Sequence, residues 1–209
     1  MSLDETVRVR EALLDVAQRL YEVDGLDGMS FRSIASAYGC SATMPYSYFG
    51  SKADLIDGLR VRAYQWIQGV LTVAASSVDD PVDALQEVAS AYVRAGLVRP
   101  RMYELLYSGN GAIDETEPVL ADAKLSALNV CRDVISAAAD SAGVQLVADP
   151  DTTAHLFWVA AHGLVSLELG GFLVVGRTLD QLLPALFTTM TTGMTTATTA
   201  GIRPRGEDD

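Results

Sequence analysis

Cysteine and histidine are almost missing from this 209-residue chain, which has two of each. Cys40 and Cys131 lie far apart, with no Cys-x-x-Cys pair and no histidine pair at zinc-finger spacing. Neither a disulfide framework nor a structural metal is therefore expected. His155 and His162 stand two helical turns apart with no third ligand in view, so no metal site is assigned to them either. No glycine-rich phosphate loop, dinucleotide fingerprint or hydrolase elbow occurs, and no cofactor is expected. Basic residues are also scarce, with 15 Lys and Arg against 27 Asp and Glu and a net charge of −12. That balance suits solubility and gives little for neutralising phosphates. The opening "MSLDETVRVREALL" places acids and bases before any apolar run, unlike a signal peptide, and a reducing cytoplasm is the expected setting.

One long apolar run does occur. Residues 154–175 read "AHLFWVAAHGLVSLELGGFLVV", close to the roughly 20 residues that span a bilayer. His155, His162 and Glu168 interrupt it, and an ionised acid near the centre of a span costs about 2.5–3.5 kcal/mol. No cluster of Lys or Arg flanks it to set an orientation. The run is read as a helix buried within protein, and no membrane partner is expected.

What is present is helical punctuation. Leu13, Val16, Ala17, Leu20 and Tyr21 recur at helical spacing, predicting a first helix over 6–23 that stops near Gly25. Ser30 caps a second helix to Tyr38, and Gly39 supplies a left-handed turn. Ser41 caps a third, reaching Phe49. Ser51, with Asp54 three residues on, starts a fourth with Leu55, Leu59, Ala63, Trp66 and Val70 on one face. Asp80-Pro81 and Asp149-Pro150 each read as a cap followed by proline in the first turn. A further helix is expected from near Thr116 to Ala142, after a loop at 108–116. The last carries Leu179, Leu183, Leu186, Met190, Met194 and Ala197 on one seam, followed by a loose tail at 201–209. The fold class is all-α.

The most specific pattern is "GMSFRSIASAYGCSATMPYSYFGSKADL", residues 28–55. A two-helix DNA reader needs a small residue where its helices cross, a glycine in the turn, apolar anchors, and polar side chains entering the major groove. Ala35, Gly39, the trio Ile34, Phe49 and Leu55, and the polar Ser41, Thr43, Tyr46, Ser47 and Tyr48 meet these needs in that order. Over residues 8–56 the order and spacing resemble the tetracycline-repressor (TetR) family of transcriptional regulators. The resemblance implies an N-terminal three-helix helix-turn-helix domain, 1–56, and a larger helical region, 57–200, for effector binding and dimerisation. It further implies DNA contacts by Ser30, Arg32, Ser41, Ala42, Thr43, Tyr46, Tyr48 and Lys52. Thr43 is the best base reader, because its methyl and hydroxyl suit a thymine edge. Tyr46 is the better contact of the two tyrosines, Tyr48 being as readily a ring at the edge of the core. Two residues depart from the commoner ones of the family. Pro45 pins the start of the recognition helix within about a turn of Ser41. Ala42, where a longer polar residue is common, makes base readout sparse and gives more weight to DNA shape and water.

The charge count by segment agrees with this placement. Residues 1–60 hold six bases against nine acids, whereas residues 28–53 hold Arg32 and Lys52 and no acid. Further along, "WVAAHGLVSLEL" resembles the Trp-x-x-x-His-Gly motif of one C-terminal subgroup. Candidate effector contacts are Trp66, Met102, Leu106, Tyr107, Trp158 and His162, with a core role for Trp158 and a structural hydrogen bond for His162 as the plainer reading. The family architecture implies a homodimer joined through the last two helices. The expected function is a ligand-responsive repressor on a palindromic double-stranded operator, released by a small, largely apolar effector. A DNA-binding dimer without effector and a helical-bundle enzyme around His155, His162 and Glu168 are the competing readings.

Overall fold

A computed structural model describes residues 3–108, 117–143 and 145–194. Eight α-helices and one 3-10 turn make up the regular structure among these residues, so the chain is all-α. It divides into two compact units, one from Met1–Val73 with Ala91–Val130 and the other from Ala74–Ser90 with Cys131–Asp209.

In the first unit, α1 spans Leu3–Gly28 and buries Leu13, Leu14, Val16, Ala17 and Tyr21. The expected stop near Gly25 is a kink instead: Gly25 turns left-handed at φ 69°, and the chain then resumes its helix to Gly28. Helix α2, Phe31–Tyr38, begins and ends as its sequence predicts. The Ser30 hydroxyl accepts from the Ser33 amide at 3.0 Å, and the Ser33 hydroxyl accepts from the Ser30 amide at 2.9 Å, a reciprocal box with serine in the usual glutamate place. Gly39 closes the helix at φ 85° and donates its amide to Ala35.

The third helix differs from the expectation of Ser41 to Phe49. It is a 3-10 turn, Met44–Ser47. An α-helix starting at Ser41 would need residue 45 to donate to the Ser41 carbonyl, and Pro45 has no N–H. The Met44 amide takes that carbonyl at 3.0 Å, and Tyr46 bonds Thr43 at 3.2 Å, both with 3-10 spacing.

Helix α3, Lys52–Ala75, passes unbroken through residue 56. Ser51 caps it by accepting from the Asp54 amide at 3.1 Å, while the Asp54 carboxylate reaches back to the Gly50 amide at 2.9 Å. Leu55, Leu59, Ala63, Ile67 and Leu71 fill its core face, leaving Trp66 and Val70 half-buried on the flank. Helix α4, Pro81–Val98, starts under the Asp80 carboxylate, which accepts from the Val82 and Asp83 amides at 2.8 and 3.1 Å. Arg99-Pro100 then breaks the chain and opens α5, Pro100–Tyr107, a boundary not drawn from the sequence. Helix α6 runs Pro118–Ala142, and of the expected loop at 108–116 all but Ser108, Thr116 included, lies outside the described residues.

In the second unit, Asp149 caps α7, Pro150–Leu169, by accepting from the Thr152 amide at 2.9 Å. The apolar run 154–175 is therefore not one helix. It ends in a Schellman motif, where Gly171 at φ 68° donates to Glu168 and Phe172 donates to Leu167 at 2.8 Å. No helix among the described residues is long and apolar enough to cross a membrane. Helix α8, Leu179–Met194, contains Pro184. Two of its threonines have local partners: Thr188 and Thr189 donate their hydroxyls to the carbonyls four residues back, at 3.0 and 2.8 Å. Leu179, Leu183, Leu186 and Met190 are half-buried along the seam, while Ala197 and the tail lie outside the described residues. Between α7 and α8 an apolar cavity of about 10 Å³, room for one water, is lined by residues such as Phe157, Ala161, Leu186 and Phe187.

Candidate nucleic-acid interface

The helix-turn-helix in the first unit is anchored from below and polar above. Ile34, Ala35, Phe49 and Leu55 are fully buried, as their spacing predicted. Two further residues, not singled out in the sequence, hold the segment in place. The Arg10 guanidinium of α1 lies 4.8 Å over the Phe49 ring and bonds Asp54 at 3.1 Å, tying α1 to the start of α3. Phe31 presents its ring edgewise to Tyr46, with centroids 4.5 Å apart. Nothing local marks Arg10 as the partner of residues 39 and 44 positions away. Phe31, adjoining the Ser30 cap, was the more legible of the two.

The predicted readers fall at three places. Ser41, Ala42, Thr43 and Tyr46 share the short turn region and are all exposed, and Tyr46 is 62% exposed despite its contact with Phe31. The Ser41 and Thr43 hydroxyls are 3.3 Å apart, so Ser41 pairs with a neighbour's side chain rather than capping a helix. Ser30 and Arg32 stand exposed at the start of α2, and Arg32 makes no ion pair with any described residue. Lys52, at the start of α3, donates to the Leu26 carbonyl at 3.3 Å and is otherwise solvated. Tyr48 is half-buried. The arrangement is a ridge of small hydroxyls and one tyrosine, flanked by two cations and free of acids from 28 to 53.

The candidate effector residues occupy both units. In the first, Trp66 is half-buried with the Arg99 guanidinium 5.1 Å over its ring, and Arg99 also bonds the Glu22 carboxylate of α1. Met102 and Leu106 are buried on α5, and the Leu106 carbonyl accepts from Tyr64 at 2.7 Å. Tyr107 bonds the Tyr92 hydroxyl, which lies 3.2 Å from that of Tyr103, so three phenols meet in one cluster. Desolvation pushes Tyr92 and Tyr103 far above the usual phenol range, leaving both as neutral hydroxyls. In the second unit, Trp158 and His162 are half-buried on α7. The His162 Nε2 lies 3.3 Å from the Ser166 hydroxyl, and desolvation holds the imidazole below its ordinary pKa. None of the six lines the small cavity between α7 and α8. Among the described residues no three His, Cys, Asp or Glu side chains are grouped to hold a metal.

A short helix, a left-handed glycine turn and an exposed polar second element, packed on a third helix, define a helix-turn-helix protein. The profile of the bacterial regulatory proteins of the tetR family matches residues 13–59, and that of the tetracyclin repressor-like C-terminal domain matches 85–192. The chain belongs to the tetracycline-repressor family, whose members are transcriptional regulators rather than enzymes and typically act as homodimeric repressors. Similar solved structures include a protein with unknown function from Rhodococcus sp. RHA1, at 25% identity and TM-score 0.77, covering 88% of this chain and 94% of that one. A TetR family transcription regulator from Marinobacter aquaeolei VT8 is 19% identical with TM-score 0.66, over 92% and 97% of the two chains. RolR, solved in complex with resorcinol, is 16% identical with TM-score 0.67, over 92% and 90%. A search for curated relatives by sequence found no match.

Proposed function

We propose that this regulator is a ligand-responsive dimeric repressor that reads a palindromic operator through Ser41, Ala42, Thr43 and Tyr46, with Ser30, Arg32, Tyr48 and Lys52 on the phosphate backbone. The exposed, acid-free surface of residues 28–53 on an otherwise acidic chain supports this reading most directly. Residues 1–56 serve as the reading domain and 57–200 as the effector and dimerisation region, working in the cytoplasm where the DNA is. The subunit interface uses α7 and α8, since Leu156, Val159, Leu167 and Leu169 stand exposed along α7 and a four-helix arrangement of two copies would cover them.

The effector is small and largely apolar, and it favours a conformation in which the two reading elements are mis-spaced. Two sets of contacts are assigned independently: Trp66, Met102, Leu106 and Tyr107 in one unit, and Trp158 and His162 in the other. RolR, of the same fold, was solved with a small dihydroxylated aromatic ring, resorcinol. The Trp158, His162, Gly163 spacing keeps its resemblance to the Trp-His-Gly subgroup as part of this reading.

Fluorescence anisotropy with the DNA upstream of its own coding sequence tests the function. Saturable binding that a small aromatic or aliphatic compound reverses is the expected result. Failure to retain any such fragment at low salt would overturn it.

A further inference from the structure

The segment that follows α7 is unusual for a connection standing in water. Residues 169–176, "LGGFLVVG", carry no charge in a chain of net charge −12. Phe172 is 68% exposed, Val174 69% and Val175 90%. The Schellman motif aims the chain back over α7, where the Phe172 ring lies so close to Gly170 that a Cβ there would meet it at 2.6 Å. Three residues on, Val175 and then Gly176 both adopt positive φ, 62° and 66°, and the Arg177 amide closes the turn on the Val174 carbonyl at 3.4 Å. A turn with both central residues left-handed favours asparagine and glycine. A β-branched residue there is an outlier that persists only where something over-determines it. Among the described residues little covers the Val175 side chain.

We infer that Gly170–Arg177 is an interaction arm whose apolar tip, Phe172, Val174 and Val175, seats on a second copy of this chain. The inference rests on the reading that α7 and α8 form the subunit interface. The arm continues the exposed stripe of Leu156, Val159 and Leu167 on α7, in which Gly163 leaves open space for close approach. Two copies at −12 each repel through their acidic surface, and an uncharged apolar stretch such as this one lets them approach without that cost. A lipid surface fits less well, because anionic headgroups call for a basic cluster and the arm offers Arg177 alone.

Sedimentation equilibrium of the full chain over a concentration series tests the arm. Four proteins are compared: wild type, Val159→Glu on α7, the pair Phe172→Ser with Val174→Ser, and Val175→Gly, with far-UV circular dichroism verifying helix content. The expected result is a wild-type dimer weakened by Val159→Glu and weakened at least tenfold by the arm pair. Val175→Gly is the sharpest arm of the comparison, because it relieves the left-handed strain while removing the side chain. It is expected to weaken the dimer about threefold or more at full helix content. A dimer broken by Val159→Glu but within twofold of wild type for the pair and for Val175→Gly overturns the arm and leaves the α7–α8 interface standing. A wild type that is monomeric throughout overturns that interface and the arm with it. Phe172-dependent binding of the wild type to neutral phosphatidylcholine vesicles would overturn a second copy as the occupant.

Discussion

In the proposed reading Thr43, Tyr46 and Arg32 have different roles on one small surface, and their substitutions separate them. Thr43 offers a methyl and a hydroxyl to a base edge, so Thr43→Ala is expected to cost about 1 kcal/mol on the operator and nothing on random DNA. Arg32 is exposed and without an ion pair among the described residues. Arg32→Ala should therefore weaken operator and random DNA about equally and lower the salt slope by about 1 per subunit. Binding titrations at several salt concentrations measure both, and an Arg32→Ala loss confined to the operator would contradict its assignment to phosphate. His162 makes a prediction about stability. Burial depresses its pKa in the folded chain, so the unfolded chain takes up the proton first as the pH falls. Stability is then full above the unfolded value of about 6.5 and declines as the pH drops below it, until the folded imidazole is also protonated. His162→Gln removes that contribution, and its Tm should fall less than the wild type's between pH 7 and pH 5. Equal falls would exclude His162 as the source.

At the scale of elements, Gly39 and Ser30 decide whether α2 stops and starts in place. Gly39 sits at φ 85° with nothing within 4 Å of where a Cβ would be, so Gly39→Ala costs backbone strain alone, about 1–2 kcal/mol. Gly39→Asn should cost less, because asparagine tolerates the left-handed region. Ser30→Ala removes a reciprocal cap and should cost about 1 kcal/mol. Urea denaturation ranks the three, and equal losses for Ala and Asn at position 39 would contradict the strain account. These two residues were legible in sequence because caps and left-handed turns are local. The Asp-Pro starts of α4 and α7 were legible for the same reason. The 3-10 turn was less so. Pro45 constrains where the element can start, but the consequence, that the Ser41 carbonyl passes to Met44, depends on which amide takes over the missing bond. Arg10 over Phe49 and against Asp54 was hidden, since its partners are brought near only by folding. The break at Arg99-Pro100 is marked by its proline but masked in the pattern, because the flanking residues continue the helical spacing.

For the whole molecule, the proposed function makes charge and symmetry the terms that set how the protein meets DNA. With Arg32 and Lys52 as the cations of the acid-free patch, two subunits neutralise about four phosphates, which gives a salt slope near −4 or shallower. Non-specific affinity should be correspondingly weak. A slope implying ten or more released counterions would contradict this contact picture. The two-fold symmetry of the proposed dimer predicts an inverted-repeat operator, with half-sites centred about one helical turn, roughly 10 base pairs, apart or slightly more. The most direct measurement is selection of DNA from a random pool by the purified full-length protein. Enrichment of an inverted repeat at that spacing, lost when Thr43 and Tyr46 are both replaced by alanine, is the predicted result. A pool that stays random after repeated rounds, or one enriched equally by the double variant, would contradict the account.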